Sequence, residues 1–405
     1  MKRSMVTTIM IASVICFSLV NPVVSDAKEK IVIGQVLALS GPTAGVTKIL
    51  EQSAIKLWLQ EVNAKGGIYV KEYDKRLPVE LLRYDNKGDI STMLKLVKKL
   101  ITVDKVDFLL PPWGSNMHFA MLPVANKAGY PIVTWTVVSE KLFKKEPKPS
   151  YIFHLAPPPS THMSIGKNLF KEMGIKTAAI IYMQGMAGIE YSGALKTELE
   201  DAGIKVVLYK SYPPFPKDLS PLLKQIKKLN PDAVIANSYP GDSLLITEQA
   251  MVINLNPKAF AIAIGGAMPM YRDRFGANKI EGVIAWGGYD PEATPESYDY
   301  FEKFQKVNNF EPDYYSAPWG YASYQILEQA IEKAGTLDRK KVRDVLATAT
   351  FTNTAAGAVK FKFQNHFNFE LPSYYGQWQN GKFESLAPIE TRTAKPVYPK
   401  PAWSK

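Results

Sequence analysis

The sequence predicts an α/β protein of two lobes, each built as a doubly wound parallel sheet. Three observations carry that expectation. Short β-branched runs alternate with amphipathic helical periods from Lys28 onward. Each crossover is long enough for a right-handed strand–helix–strand unit. The same alternation restarts after the polar, proline-rich stretch Lys144-Lys145-Glu146-Pro147-Lys148-Pro149-Ser150, which reads as a connection between lobes. The 405 residues, 46% of them apolar, suffice for two cores at about 100–200 residues per domain.

The first lobe opens on the continuous apolar run Ile31–Leu37, read as a strand. From Gly45 to Lys65, Leu50, Ala54, Leu57, Trp58 and Val62 share one helical face, and Gly66-Gly67 ends the helix. Val79–Tyr84 is the second strand. Between Asp89 and Thr102, residues Ile90, Met93, Val97, Leu100 and Ile101 recur at helical spacing, followed by the strand Val106–Leu110. A third helix spans Asn116–Lys127 and stops near Gly129, and Pro131–Thr136 is the strand after it.

In the second lobe, helices at 161–173, 189–202, 219–229 and 242–252 alternate with strands at 177–183, 205–209, 233–236 and 260–264, and 282–286 is a further strand. Helices at 297–308, 318–334 and 339–349 then arrive with no strand between them, and the tail from Val359 to Phe383 returns to short aromatic strands around the turn Asn380-Gly381. Helices grouped in this way complete a lobe already begun. The chain therefore passes between the lobes more than once.

Residues 1–27 read as an export signal: Lys2 and Arg3 precede the apolar run Met5–Val20, and small residues suited to cleavage stand at Ser25-Asp26-Ala27. The run is shorter than the roughly 20 residues a membrane span needs. The single cysteine, Cys16, excludes a disulfide framework or a cysteine-based zinc site. Ile15 stands where lipidation of that cysteine would want a small residue. The net charge of +11 is carried by lysines spread over amphipathic helices, such as Lys95, Lys98 and Lys99, which reads as solvated helix faces and not as a nucleic-acid surface.

Enzyme signatures are missing. No two glycines stand two residues apart, which excludes a G-x-G phosphate loop, and neither a P-loop nor a G-x-S-x-G elbow occurs. The four histidines, His118, His154, His162 and His366, form no i, i+4 pair, so no metal site and no cofactor is expected. In open α/β sheets ligands bind beyond the carboxyl ends of the strands. Those ends are Ser40-Gly41-Pro42-Thr43, Pro111–Asn116 and Thr134-Trp135-Thr136 in the first lobe. In the second they are Gln184–Gly188, Ser238-Tyr239-Pro240-Gly241 and Gly265-Gly266-Ala267-Met268. Two facing rims of hydroxyls, glycines and aromatics make a cleft.

At these positions the chain resembles the periplasmic solute-binding proteins of the branched-chain amino acid (leucine/isoleucine/valine) type, the receptors of ABC importers. The matching pieces, in order, are the strand running into Ser40-Gly41-Pro42, Glu61-Val62-Asn63-Ala64-Lys65-Gly66-Gly67, Asp85, Pro123-Val124-Ala125 with Gly129-Tyr130-Pro131, Tyr212-Pro213-Pro214 leading to Asp218-Leu219-Ser220, and Pro231-Asp232-Ala233-Val234. The resemblance implies two Rossmann-like lobes joined by three crossings, near Pro147, Trp286 and Phe351, closing on ligand as a hinged clamp. The first lobe would then comprise 28–147 and 286–350, and the second 148–285 and 351–405. It further implies a periplasmic monomer that serves a permease and its ATPase subunits, with no catalytic activity.

Carried over position by position, the family's Gly-Pro-x-Ser-Ser loop falls on Pro111-Pro112-Trp113-Gly114-Ser115 and keeps only the second serine. Its Ala-x-Thr falls on Thr136-Val137-Val138, which leaves Thr134 and Thr136 as the nearby hydroxyls. A tyrosine becomes Ala187, another aligns with Ser238 beside Tyr239, and the acidic residue that would pair with an ammonium is Ala267. Trp113, Trp135, Val138, Met186, Ala187, Ala267 and Met268 make the expected lining apolar. An ammonium buried without a carboxylate partner is costly. The expected ligand is therefore a small organic carboxylate with an apolar or aromatic body, anchored by Ser115 or, if that serine only caps its helix, by a group the sequence does not identify. Rival readings are an amino-acid or amide receptor of the same family, a ligand-sensing partner of a membrane receptor, and a secreted hydrolase.

Overall fold

The computed structural model describes residues 28–137, 139–141, 150–287, 291–292, 294–361 and 373–403. The expected signal segment, Cys16, Val138, His366 and most of the proline-rich connection lie outside the described residues.

In the first lobe, Ile31–Leu37 pairs in parallel with Val79–Asp85 on one side and with Phe108–Leu109 on the other. Ile132–Thr134 pairs in parallel with Ile152–His154. The helical face expected from the sequence is the buried one: Leu50, Ala54, Leu57, Trp58 and Val62 are at most 2% exposed. That helix is one right-handed path, Ala44–Thr47 and Ser53–Ala64, with a wider π turn at Lys48–Gln52 between them. Helix Ile90–Thr102 starts where the Asp89 carboxylate accepts the Thr92 N–H at 2.6 Å, which satisfies an otherwise unpaired donor of its first turn.

The second lobe holds a seven-stranded sheet in the order 382–387, 374–379, 283–287, 259–262, 233–237, 177–183, 205–212. The five strands of the 177–287 segment are parallel, and the hairpin Tyr374–Gln379/Lys382–Ala387 is added antiparallel at one edge. Every residue of Ala233–Asn237 is buried, as a strand covered by helices on both faces requires. Both lobes are thus doubly wound α/β units.

Helices Pro295–Asn308 and Ala317–Ala334 return to the first lobe. The Lys56 ammonium donates to the Val307 carbonyl at 3.0 Å, the Trp58 indole N–H to Glu328 at 2.9 Å, and the Tyr324 hydroxyl to Glu51 at 3.1 Å. The crossings fall later than the sequence suggested. Strand Ile152–His154 is still paired to the first lobe, so the chain leaves after His154 and not at residue 147. The hairpin Thr350–Thr354/Gly357–Lys360 also stays with the first lobe. The Gln329 amide donates to the Thr352 carbonyl and Gln325 Oε1 accepts the Ala355 N–H, both at 2.9 Å, and Phe361 packs on Phe153 at 5.4 Å. The return to the second lobe therefore follows residue 361 instead of Phe351. Such hairpins are set by partners distant in sequence, which local periodicity does not encode.

A strap at Glu311–Ser316 lies along the second lobe just before helix Ala317–Ala334. Arg272 pairs with Glu311 at 3.1 Å, the Tyr314 N–H donates to the Ala267 carbonyl at 2.9 Å, and the Tyr314 ring stacks on Phe383 at 5.0 Å. Gly287, where the second-lobe sheet ends, packs so closely on this strap that a Cβ there would stand 2.0 Å from the Tyr314 carbonyl oxygen.

Candidate functional site

The strand ends of the two lobes enclose a cleft of about 270 Å³. The first lobe supplies Pro42, Thr43, Gly45, Val46, Ile49 and Trp113. The second supplies Phe215, Tyr239, Pro240, Gly241, Asp242, Met268 and Met270. Trp113 and Tyr239 touch across it, ring centroids 5.5 Å apart. A small adjoining hollow behind Tyr239 is lined by Met183, Ala187, Gly188, Tyr191, Asn237, Ser238, Ala263 and Ile264. Further junction contacts are the Tyr191 and Tyr315 hydroxyls, 3.3 Å apart, and Glu190, which meets Ser139 at 3.3 Å and Lys141 at 3.5 Å.

Each wall is held in place by local chemistry. Asp85, at the end of its strand, accepts the Leu39 N–H at 2.9 Å, the Ser40 hydroxyl at 2.6 Å and the Lys87 N–H at 2.8 Å. Desolvation pushes this carboxyl up, but those donors outweigh it and hold it down at about 2. The Ser40–Thr43 rim is thereby pinned to the sheet. Across the cleft, the Asp218 carboxylate accepts the Ser220 N–H at 2.8 Å and the Gln249 amide at 2.9 Å, fixing the base of the loop that carries the 61% exposed Phe215.

The sequence-predicted residues divide into three groups. Trp113, Tyr239 and Met268 line the cleft, and Ala187, Ser238 and Tyr239 line the hollow. Gly114, Ser115 and Thr136 form the loop behind the Trp113 wall. The Thr136 hydroxyl accepts the Gly114 N–H at 3.1 Å and so ties that loop to the neighbouring strand end. Gly114, with φ of +87°, is the N-cap of helix Ser115–Lys127, and Ser115 is the buried first residue of the helix. The role of cap, which the sequence left open for Ser115, belongs to Gly114.

Thr134 and Trp135 belong to the first-lobe interior. The Thr134 hydroxyl bonds His154 Nδ1 at 2.7 Å, and Trp135 is 1% exposed and packed against Gly320, whose missing side chain leaves room for the indole. Ala267 is fully buried behind the cleft wall, its carbonyl engaged by Tyr314. Met186 begins helix Met186–Asp201 without lining either space. Val138 lies outside the described residues.

Asp242 escaped the sequence reading, because an acidic residue in the first turn of helix Pro240–Val252 looks like an ordinary dipole partner. It is 7% exposed and meets the Tyr212 hydroxyl at 3.5 Å. Burial lifts its carboxyl to about 6, and burial together with the Asp242 charge lifts the Tyr239 phenol to about 12. His118 and His162 are buried close to this junction, His118 bonding the Gly114 carbonyl at 2.8 Å. Burial lowers both to about 3, so both are neutral near pH 7. Among the described residues no cluster of three or more His, Cys, Asp or Glu is placed to hold a metal, and no helix is long and apolar enough to cross a membrane.

Residues 30–382 match the family described as periplasmic binding protein. A curated relative, the Leu/Ile/Val-binding protein homolog 7 of Brucella suis biovar 1 (strain 1330), is 25% identical over 381 residues, covering 90% of this chain and 93% of its own. Two solved structures share the fold. The branched-chain amino acid transporter substrate binding protein LivJ of Streptococcus pneumoniae, in complex with isoleucine, superposes with a TM-score of 0.77 at 21% identity, over 88% of this chain and 99% of its own. A solute binding protein of an ABC transporter from R. palustris, in complex with benzoate, gives 0.76 at 19% identity, over 92% and 98%.

Proposed function

The chain belongs to the periplasmic binding protein family, and from that premise we propose that it is the substrate-binding receptor of an ABC importer for a small organic carboxylate with an apolar or aromatic body. The observation that carries this reading is the lining of the cleft. Val46, Ile49, Trp113, Tyr239, Met268 and Met270 present aliphatic, thioether and aromatic surface, and the resemblance set out above puts Ala267 where the family carries an acidic residue. Apolar walls with a few placed polar groups are the usual make-up of small-ligand sites, and Met and aromatic side chains adapt to flat apolar bodies. Ser115 and the first N–H groups of its helix, directly behind Trp113, are the proposed carboxylate anchor. Closure about the three crossings presents the loaded form to a permease, and residues 1–27 direct export.

One observation favours the rival amino-acid reading: Asp242 lines the cleft and is able to face an ammonium. A thermal-shift panel separates the two. Benzoate and des-amino analogues of leucine and valine are expected to raise the melting temperature, since a ligand at about a hundredfold over its Kd adds about 2.7 kcal/mol to native stability. A strong shift from leucine or valine with none from their des-amino analogues overturns the carboxylate reading.

A further inference from the structure

Two side-chain acceptors stand at the second-lobe end of the site, Asp242 in the cleft and Asn237 in the adjoining hollow. Asp242 is the only carboxylate or basic side chain among the described residues lining the cleft, and it is nearly buried. Asn237, 4% exposed, lines the hollow beside Tyr239. Its amide N–H donates to the Ser192 hydroxyl at 2.5 Å, and its Oδ1 is left without a partner. The hollow has a volume of about 10 Å³, the size of a single water or hydroxyl oxygen. An acceptor buried without a donor is costly, so a group that enters this hollow is selected for a hydrogen-bond donor, which on an amine-free carboxylate is a hydroxyl.

We propose that Asp242, the acceptor lining the cleft, takes a hydroxyl at the end of the ligand remote from its carboxylate, with Asn237 in the adjoining hollow as a second acceptor position, which makes the ligand class a hydroxylated, flat monocarboxylate. This rests on the carboxylate reading above. Orientation follows from charge: Asp242 repels a carboxylate, so the acidic end of the ligand turns toward the helix start at Ser115 and the far end toward Asp242.

The test is calorimetric titration of the mature chain with benzoate, 3- and 4-hydroxybenzoate, and 4-methoxybenzoate, which accepts hydrogen bonds but does not donate them. One hydroxy isomer is expected to bind about ten- to a hundredfold more tightly than both benzoate and the methoxy analogue. Asp242→Ala is expected to remove most of that preference, and Asp242→Asn, which keeps an acceptor oxygen and the side-chain shape, to leave an intermediate one. Circular dichroism checks that each variant is folded, and the wild-type panel with Asp242→Asn decides the matter if the alanine variant is not. Benzoate binding without any hydroxyl preference, or a preference that survives both Asp242→Ala and Asn237→Ala, overturns the subsite alone. If none of the benzoates binds, the carboxylate reading falls and the subsite falls with it.

Discussion

The indole of Trp113 and the phenol ring of Tyr239 meet 5.5 Å apart and tilted by 55°, one ring from each lobe. Such pairs contribute about 0.5–1.5 kcal/mol beyond the area they bury. Because this pair exists only while the lobes touch, its energy belongs to closure. Benzoate titrations of Trp113→Ala, Tyr239→Ala and the double variant should return a coupling energy of that size in affinity. A coupling near zero would show that the rings are neighbours without cooperating in closure.

Ser115→Ala should weaken binding of a carboxylate ligand by about ten- to a hundredfold, the value of a charge-assisted hydrogen bond. Ser115 is buried in the first turn of its helix, so the melting temperature of the variant is recorded to establish that it is folded when it binds. Affinity and melting are measured on the same preparation. Unchanged affinity would leave the serine a purely structural role.

Gly287→Ala should destabilise the protein by about 2 kcal/mol or more, since a Cβ cannot share space with the Tyr314 carbonyl unless the strap or the strand end moves. Urea unfolding measures the loss. Because the strap also carries Tyr315, whose hydroxyl meets that of Tyr191, any surviving variant should bind less tightly as well.

Glu51, fully buried beneath the first-lobe helices, is pushed up to about 8, mainly by desolvation and against the Tyr324 hydroxyl and the Arg83 charge. The native state thus keeps a proton that the unfolded chain gives up near 4.5, so this residue's contribution to stability is greatest below pH 4.5 and falls as pH rises toward 8. Glu51→Gln should flatten the fall in melting temperature between pH 5 and 8 and gain on the parent most at pH 8. A parallel pair of melting curves would contradict the assignment.

The strands and helices of both lobes were legible because burial on sheet and helix faces leaves a period in the sequence, as at Ile31–Leu37 and Ile90–Thr102. The cleft was legible in outline, since strand-end loops are where this topology places ligands, and Trp113, Tyr239 and Met268 are found there. What stayed hidden depended on partners far away in sequence. Trp135 could not be told from Trp113 without Gly320, whose lack of a side chain admits the indole to the interior. The Thr134 hydroxyl meets His154 and the Thr136 hydroxyl meets the Gly114 N–H, partners that no local pattern encodes. Asp242 gave no signal at all, because helix starts attract acids whether or not they face a cleft.

No lysine or arginine is found among the described residues lining the cleft, although the chain as a whole carries 49 of them. The proposed carboxylate would lean on fixed backbone and hydroxyl dipoles, not on a mobile counter-ion. Dissolved electrolyte weakens attraction between exposed charges over a distance of roughly 10 Å at 0.1 M, but it has little access to dipoles sealed between two lobes. Affinity for the proposed carboxylate should therefore vary little with salt, where a site built on surface lysines would weaken as the medium concentrates.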